Sequence, residues 1–159
     1  MNLSDQDIAS LLKNARSIAI CGLSPDSQKD SFQVAQYLQE HNFDITPIYP
    51  KEDTILGEKV YRSLSEAVQD KKHFDIVVAF RNARACEELA EEILLLPHES
   101  IGAFWMQLGI RSDEVACRLG DALPHISVAL GMVLVILSGI IIGLPNLLKD
   151  LRSIKGERI

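Results

Sequence analysis

Apolar and polar positions along this chain switch repeatedly between two periods. Residues 17–23, 43–49, 74–80 and 101–106 are short, near-continuous apolar runs with the length and composition of buried strands. Between them apolar residues recur at helical spacing, as Val34, Ala35 and Leu38 do within 31–41, and as they do along one side of the acidic stretch 82–96. Ser4-Asp-Gln-Asp7 reads as a cap and acidic first turn, opening a helix through about Asn14 with Ile8, Leu11 and Leu12 on one side; a further helix begins at Ser112. Pro50 ends the second strand. An extended excursion over 56–61 then leads to Ser63-Leu-Ser-Glu66, which has the form of a capping box on a short helix. Strands alternating with helices predict a parallel sheet joined by crossover helices. No repeat or low-complexity linker divides the 159 residues, so one domain over 1–159 is expected.

The pattern changes from about residue 122. Residues 122–148 contain no Asp, Glu, Lys or Arg, and 126–144 are almost wholly apolar. That is long enough to cross a bilayer, which takes about 20 residues. Three glycines, Ser138 and Pro145 interrupt the run, and Lys149, Arg152, Lys155 and Arg158 follow it on the side that the positive-inside tendency disfavours. The expectation is therefore a last buried strand at 132–137, a turn at Ser138-Gly139 and an apolar element ending in a helix near 145–153. An apolar surface of this size often closes a homodimer. A membrane-tethered partner subunit is the alternative.

Charge and cysteine usage narrow the partners. The formal charge is −6 and no basic stripe is present, which excludes a nucleic-acid footprint. Cys21, Cys86 and Cys117 are scattered in apolar or helical surroundings and read as buried small hydrophobes in a reducing cytosol, so a cytoplasmic location is expected. The acidic, polar residues 1–7 do not resemble a secretion signal.

In parallel sheets of this kind ligands bind beyond the carboxyl ends of the strands, where the crossover direction switches. That places Gly22, Leu23 and Ser24, then Tyr49, Pro50 and Lys51, then Arg81 and Asn82, and finally Gln107 around one site. Gly22 lets the backbone approach a phosphate closely, and Ser24 and Ser31 supply hydroxyl donors. The start of the helix after Ser31 adds open N–H groups and the positive end of its dipole. Lys29 adds a mobile positive charge. Arg81 offers a planar fork for phosphate or a face for a base, and Pro47 and Pro50 an apolar wall for adenine. The competing reading makes Ser24 and Ser31 a turn and cap, Arg81 an ion-pair partner of Glu87 or Glu88, and Gln107 a strand-end tie; Trp105 reads as core. The turn lacks G-x-G-x-x-G, and the second strand does not end on an acidic residue, so NAD is disfavoured. His41, His73, His98 and His125 form no triad or metal motif with any cysteine, so neither catalytic nor metal-ligating residues are assigned.

Taken together, Ile18-Ala-Ile-Cys-Gly-Leu-Ser-Pro25, Ser31-x-x-Val-Ala-x-Tyr-Leu38, Ile48-Tyr-Pro50, Leu56-Gly-Glu-Lys59, Phe80-Arg81 and Trp105-Met-Gln-x-Gly-Ile110 resemble the small bacterial and archaeal CoA-binding proteins. These are similar to the CoA-binding domain of the succinyl-CoA synthetase α subunit. The resemblance runs in order from about Ala15 to Ser112. It implies an α/β, Rossmann-like, doubly wound and mostly parallel sheet of about five strands with helices on both faces. It also implies coenzyme A or an acyl-CoA as ligand. Gly22, Ser24 and Ser31 match the phosphate-loop positions, with Leu23 beside them and Lys29, Pro50, Arg81 and Gln107 as rim contacts. The arrangement expected from the residues packs adenine near Pro50 and Arg81 and leaves the pantetheine arm to project toward Gln107 and the C-terminal segment. The tail departs from the family pattern, with Ser153 where a cysteine and Arg158 where a histidine would fall. Three functions follow: a non-catalytic binding module, carrier or sensor; an enzyme or enzyme subunit acting on a CoA thioester; or a structural partner with a vestigial site.

Overall fold

The computed structural model describes residues 5–107 and 112–132. In chain order it contains α1 (Asp5–Asn14), β1 (Ser17–Cys21), α2 (Asp30–Glu40), β2 (Asp44–Ile48), β3 (Thr54–Ile55), β4 (Glu58–Lys59), α3 (Leu64–Lys71), β5 (Phe74–Ala79), α4 (Ala83–Leu94), β6 (Ile101–Gln107), α5 (Asp113–Ala122) and β7 (Ser127–Met132). The five longer strands pair in parallel in the order β2-β1-β5-β6-β7. The short β3 and β4 form a separate antiparallel hairpin, whose turn places Leu56 and Gly57 at φ of 53° and 77°. Two consecutive positive φ values match the right-handed twist of a two-residue hairpin.

Alternation along each strand divides the core into two layers. Ile18, Ile20, Ile76, Val78, Ala103 and Trp105 face the layer that holds Leu12 of α1 and Ala35 and Leu38 of α2. Ala19, Cys21, Val77, Ala79, Phe104 and Met106 face the opposite layer, with Leu64 and Val68 of α3, Cys86 and Ile93 of α4 and Leu119 of α5. The sheet is thus covered on both sides, as a doubly wound α/β fold requires. Trp105, Phe74 and Phe104 are fully buried, each contributing roughly 1.5–3 kcal/mol of apolar transfer or more.

Three helix starts carry side-chain caps, that at Ser63 as expected. Ser63, Asn82 and Ser112 accept from the backbone N–H groups of Glu66, Ala85 and Val115. In the capping box the Glu66 carboxylate reaches the N–H of Arg62 at 2.8 Å rather than that of Ser63.

One expectation is corrected and another is added to. The last strand among the described residues is Ser127–Met132, which precedes and meets the first residue of the strand expected at 132–137. The apolar run starts at Ile126 and carries no internal boundary, whereas the short link after α5 brings the chain to Ser127 in register with Ala103. Cys117 is exposed on α5, unlike Cys21 and Cys86, because Val115, Ala116 and Leu119 take the buried side of that helix. The rest of the expected strand, the turn at Ser138-Gly139 and the terminal helix lie outside the described residues. Among the described residues no helix is long and apolar enough to cross a membrane.

Candidate functional site

Gly22 follows the last residue of β1. It has a φ of +86°, and an added Cβ would lie 2.6 Å from the Phe80 carbonyl oxygen and 3.2 Å from Cγ of Arg81. Side chains rarely adopt that φ, and the space is already taken by the chain leaving β5. The Gly22 N–H donates to Ile48 O and the Phe80 N–H to Cys21 O, both at 2.9 Å, so the ends of β2, β1 and β5 stay tied together here. The connection from β1 to β2 passes through α2 on one face, and that from β2 to β5 through α3 on the other. The β1/β5 boundary is therefore the point at which the winding reverses, where such sheets open a crevice.

The loop from Gly22 to α2 is held by its own side chains. Ser31 is buried and its hydroxyl accepts from the Ser24 N–H at 3.1 Å. The Ser24 hydroxyl accepts from the Asp26 N–H at 3.1 Å, and the Asp26 carboxylate from the Gln28 N–H at 2.9 Å. Sequence reasoning offered both serines as phosphate donors or as a turn and cap. In the structure both are loop ties, and among the described residues each hydroxyl keeps its own O–H to donate. Ser31 does not cap α2. Lys29 occupies the N-cap with an extended backbone and no side-chain cap bond; its carbonyl takes the N–H groups of Phe32 and Gln33 and its own N–H donates to Asp26 O, so among the described residues only the N–H groups of Asp30 and Ser31 remain without a partner in the first turn. Leu23 is fully buried and anchors the loop through its side chain, while the Lys29 side chain is exposed.

Three other segments border this end of the sheet. After β2, Pro50 and Lys51 are exposed and Tyr49 is half-buried, whereas Pro47 is buried within the strand and cannot serve as an exposed wall. Arg62 shapes this loop. Its Nη1 donates to the carbonyls of Tyr49 at 3.3 Å, Lys51 at 3.0 Å and Glu52 at 2.6 Å, and its Nη2 reaches Asp53 at 3.2 Å. Sequence reasoning missed Arg62, since no local pattern marks a side chain that bonds residues nine to thirteen positions back. Beyond it, Tyr61 donates to Asp70, which also pairs with Lys59 at 3.5 Å, pinning the hairpin to α3.

After β5, Arg81 is half-buried against Gly22. Glu88 pairs with Arg84 at 3.8 Å, so the ion-pair role suggested for Arg81 is filled on that glutamate by another arginine. At the end of β6, Gln107 is 6% exposed and its Nε2 has no hydrogen-bond partner among the described residues.

Neither buried thiol is activated as a nucleophile. Burial pushes the Cys21 thiol up to about 12 and the Cys86 thiol up to about 11, against the opposing pull of Arg81. Among the described residues no three His, Cys, Asp or Glu side chains come together to hold a metal. His73 bonds Glu99 O and Asp75, and His41 bonds Tyr37 O near the end of α2. A groove between α4 and α5, lined by Glu87, Glu91, Glu114, Arg84 and Arg118, is predominantly acidic and unsuited to a polyphosphate.

Comparisons with known proteins agree with this architecture. Residues 16–131 match the family described as "CoA binding domain". An uncharacterized protein of Bacillus subtilis (strain 168), YneT, is 32% identical over 113 residues, covering 71% of this chain and 79% of that protein. Among solved structures, cell-free ID.343 from Thermus thermophilus aligns with a TM-score of 0.70 at 29% identity, covering 80% of this chain and 90% of that one. A hypothetical protein from Pyrococcus horikoshii OT3 aligns at 0.68 and 28% identity, covering 80% and 85%. With the match spanning both central strands, the switch-point loop and β6, this chain belongs to the CoA binding domain family.

Proposed function

We propose that this protein binds coenzyme A or an acyl-CoA at the β1/β5 switch point and acts as a non-catalytic cytosolic binding module, carrier or sensor. The observation that carries the reading is the turn at the switch point, where Gly22 at a φ of +86° lets the ends of β1 and β5 pack together and α2 begins at Lys29 without a side-chain cap. A phosphate over residues 22–31 meets the open N–H groups of α2, the O–H groups of Ser24 and Ser31, and the positive charges of Lys29 and Arg81. Those two cations offset locally a net charge of −6 that would otherwise repel a polyphosphate. The adenosine part lies between the exposed Pro50 and the Arg81 side chain. Family membership supports CoA over other nucleotides, and the raised thiol pKa values of Cys21 and Cys86 favour binding over nucleophilic chemistry. We assign a homodimer contact to the apolar run beyond Met132, which light scattering of the purified protein tests as a mass twice that of the chain.

Calorimetric titration with CoA, NAD and ATP tests the ligand. Saturable binding of CoA in preference to the other two is expected. Equal binding of all three, or none, refutes the assignment.

A further inference from the structure

We propose that His98 and His125 form an open two-imidazole site for a divalent late transition-metal ion of the Ni²⁺ or Cu²⁺ class. The pair lies at the amino ends of β6 and β7, the opposite end of the sheet from the switch-point crevice, and does not depend on what that crevice holds.

The chain uses Leu-Pro-His twice, at Leu96-Pro97-His98 and at Leu123-Pro124-His125, each time in the short link that leads from a helix into a strand. A proline just past the helix end stops the helix and fixes φ, so the histidine after it takes a defined place in the turn. Because β6 and β7 are parallel neighbours, the two links lie side by side. Their imidazoles meet with ring centres 4.3 Å apart and planes inclined by 44°. Both histidines are exposed. Carbonyls and a carboxylate engage the ring nitrogens of His41 and His73, but among the described residues no hydrogen bond engages those of His98 or His125. Each neutral ring therefore keeps a nitrogen lone pair open to a ligand from solvent.

The spacing selects the kind of ion. Imidazole nitrogens bind first-row metals at about 2.0–2.1 Å, so two rings in adjacent positions of a square-planar or octahedral ion have centres about 4.5 Å apart. A tetrahedral ion spreads them to about 5 Å, which places Ni²⁺ and Cu²⁺ ahead of Zn²⁺ here. The observed 4.3 Å needs only small rotations of two exposed side chains to meet the first arrangement. The backbones beneath the rings are fixed. The Ser100 N–H and hydroxyl both donate to Pro97 O, at 3.2 and 2.6 Å, and the Ile126 N–H donates to Leu123 O at 2.9 Å, with Ile126 buried in the core. Ligands held in this way lose little freedom on binding. His98 also borders an open groove of about 600 Å³ along Val68, Lys72 and Leu95, which leaves room for the waters or outside donors that complete the ion's coordination. With two protein ligands the site holds an exchangeable ion, whereas a structural one takes four.

The test titrates tag-free protein with NiCl₂ by calorimetry and follows the histidine ring signals by NMR. Saturable binding of one Ni²⁺ per chain is expected, and this paramagnetic ion should broaden the His98 and His125 rings before those of His41 or His73, a readout that needs no variant to fold. His98→Gln and His125→Gln are each expected to bind Ni²⁺ at least about tenfold more weakly, the least that losing a metal-site residue costs. Cys117→Ser, which removes the exposed thiol, should bind as the wild type does. No Ni²⁺ binding by the wild type, broadening of His41 or His73 as early as the pair, wild-type affinity in either glutamine variant, or loss of binding in Cys117→Ser overturns the proposal.

Discussion

At Gly22 the backbone has a φ of +86° and a Cβ would sit 2.6 Å from the Phe80 carbonyl oxygen, so any other residue meets torsional strain and a backbone clash together. Ser24 and Ser31 combine two jobs, since each accepts from a loop N–H and can donate its own proton outward. The double variant Ser24→Ala with Ser31→Ala is expected to weaken CoA binding by a few kcal/mol at most, at roughly 1.5–3 kcal/mol for each hydrogen bond to a charged group. Titration calorimetry on the folded variant measures this. Unchanged affinity would remove the loop from the phosphate site. The hydroxyl types at these positions were legible in the sequence, but their partners were not: the Ser24–Ser31 bond spans seven residues and exists only once α2 turns back against β1.

The connection between β2 and α3 is organised from its far end. One Nη1 of Arg62 serves three carbonyls of the Tyr49, Lys51 and Glu52 loop, and Val60 closes it by donating to Asp53 O at 2.9 Å. Arg62→Ala should loosen this loop, seen as faster hydrogen exchange of the Val60 amide, with the melting temperature lowered by about 2–4 °C if about 1 kcal/mol is lost. Arg62→Lys is expected to behave like the alanine variant, because an ammonium cannot present a planar fork to carbonyls and carboxylate at once. Wild-type protection in the lysine variant would show that a point charge suffices. At α3 the capping box was readable from Ser63 and Glu66 alone, since it depends on residues three apart; the fork of Arg62 was not, since it depends on how the hairpin folds back.

At the amino end of the sheet, Asp75 joins β5 to the start of β1. Its carboxylate accepts from the N–H groups of Arg16 at 2.8 Å and Ser17 at 2.9 Å, and from the Ser17 hydroxyl at 3.1 Å, while its N–H donates to that hydroxyl at 3.0 Å. Partial burial pulls its pKa upward, but the hydrogen bonds from Ser17, Arg16 and His73 outweigh it and hold the carboxyl below the usual value of 3.8. A depressed folded pKa means stability that is present above the unfolded value and lost as pH falls from about 3.8 through the lower folded value. Urea midpoints measured from pH 6 to pH 2 should fall over that acid range in the wild type. In Asp75→Asn that part of the fall should be absent and the midpoint at pH 6 already lower. An unchanged acid profile in the variant would assign the loss to other carboxylates.

Local pattern was sufficient for the alternation of strands and helices, the two-sided sheet, the cap at Ser63, the helix starts near Asn82 and Ser112, the burial of Trp105 and the gathering of Gly22, Ser24, Pro50, Arg81 and Gln107 at one end, because each follows from period, capping chemistry or the parallel direction of the strands. Where β7 begins was beyond its reach, because an unbroken apolar run has no boundary until α5 and the register with β6 impose one at Ser127. The same holds for the exposure of Cys117, the inward turn of Ser31, the grip of Arg62 and the burial of Gln107. These are properties of groups far apart in the chain that meet only when the sheet closes, and hydrogen-bond partners chosen across such distances leave no periodic trace in the residues that make them.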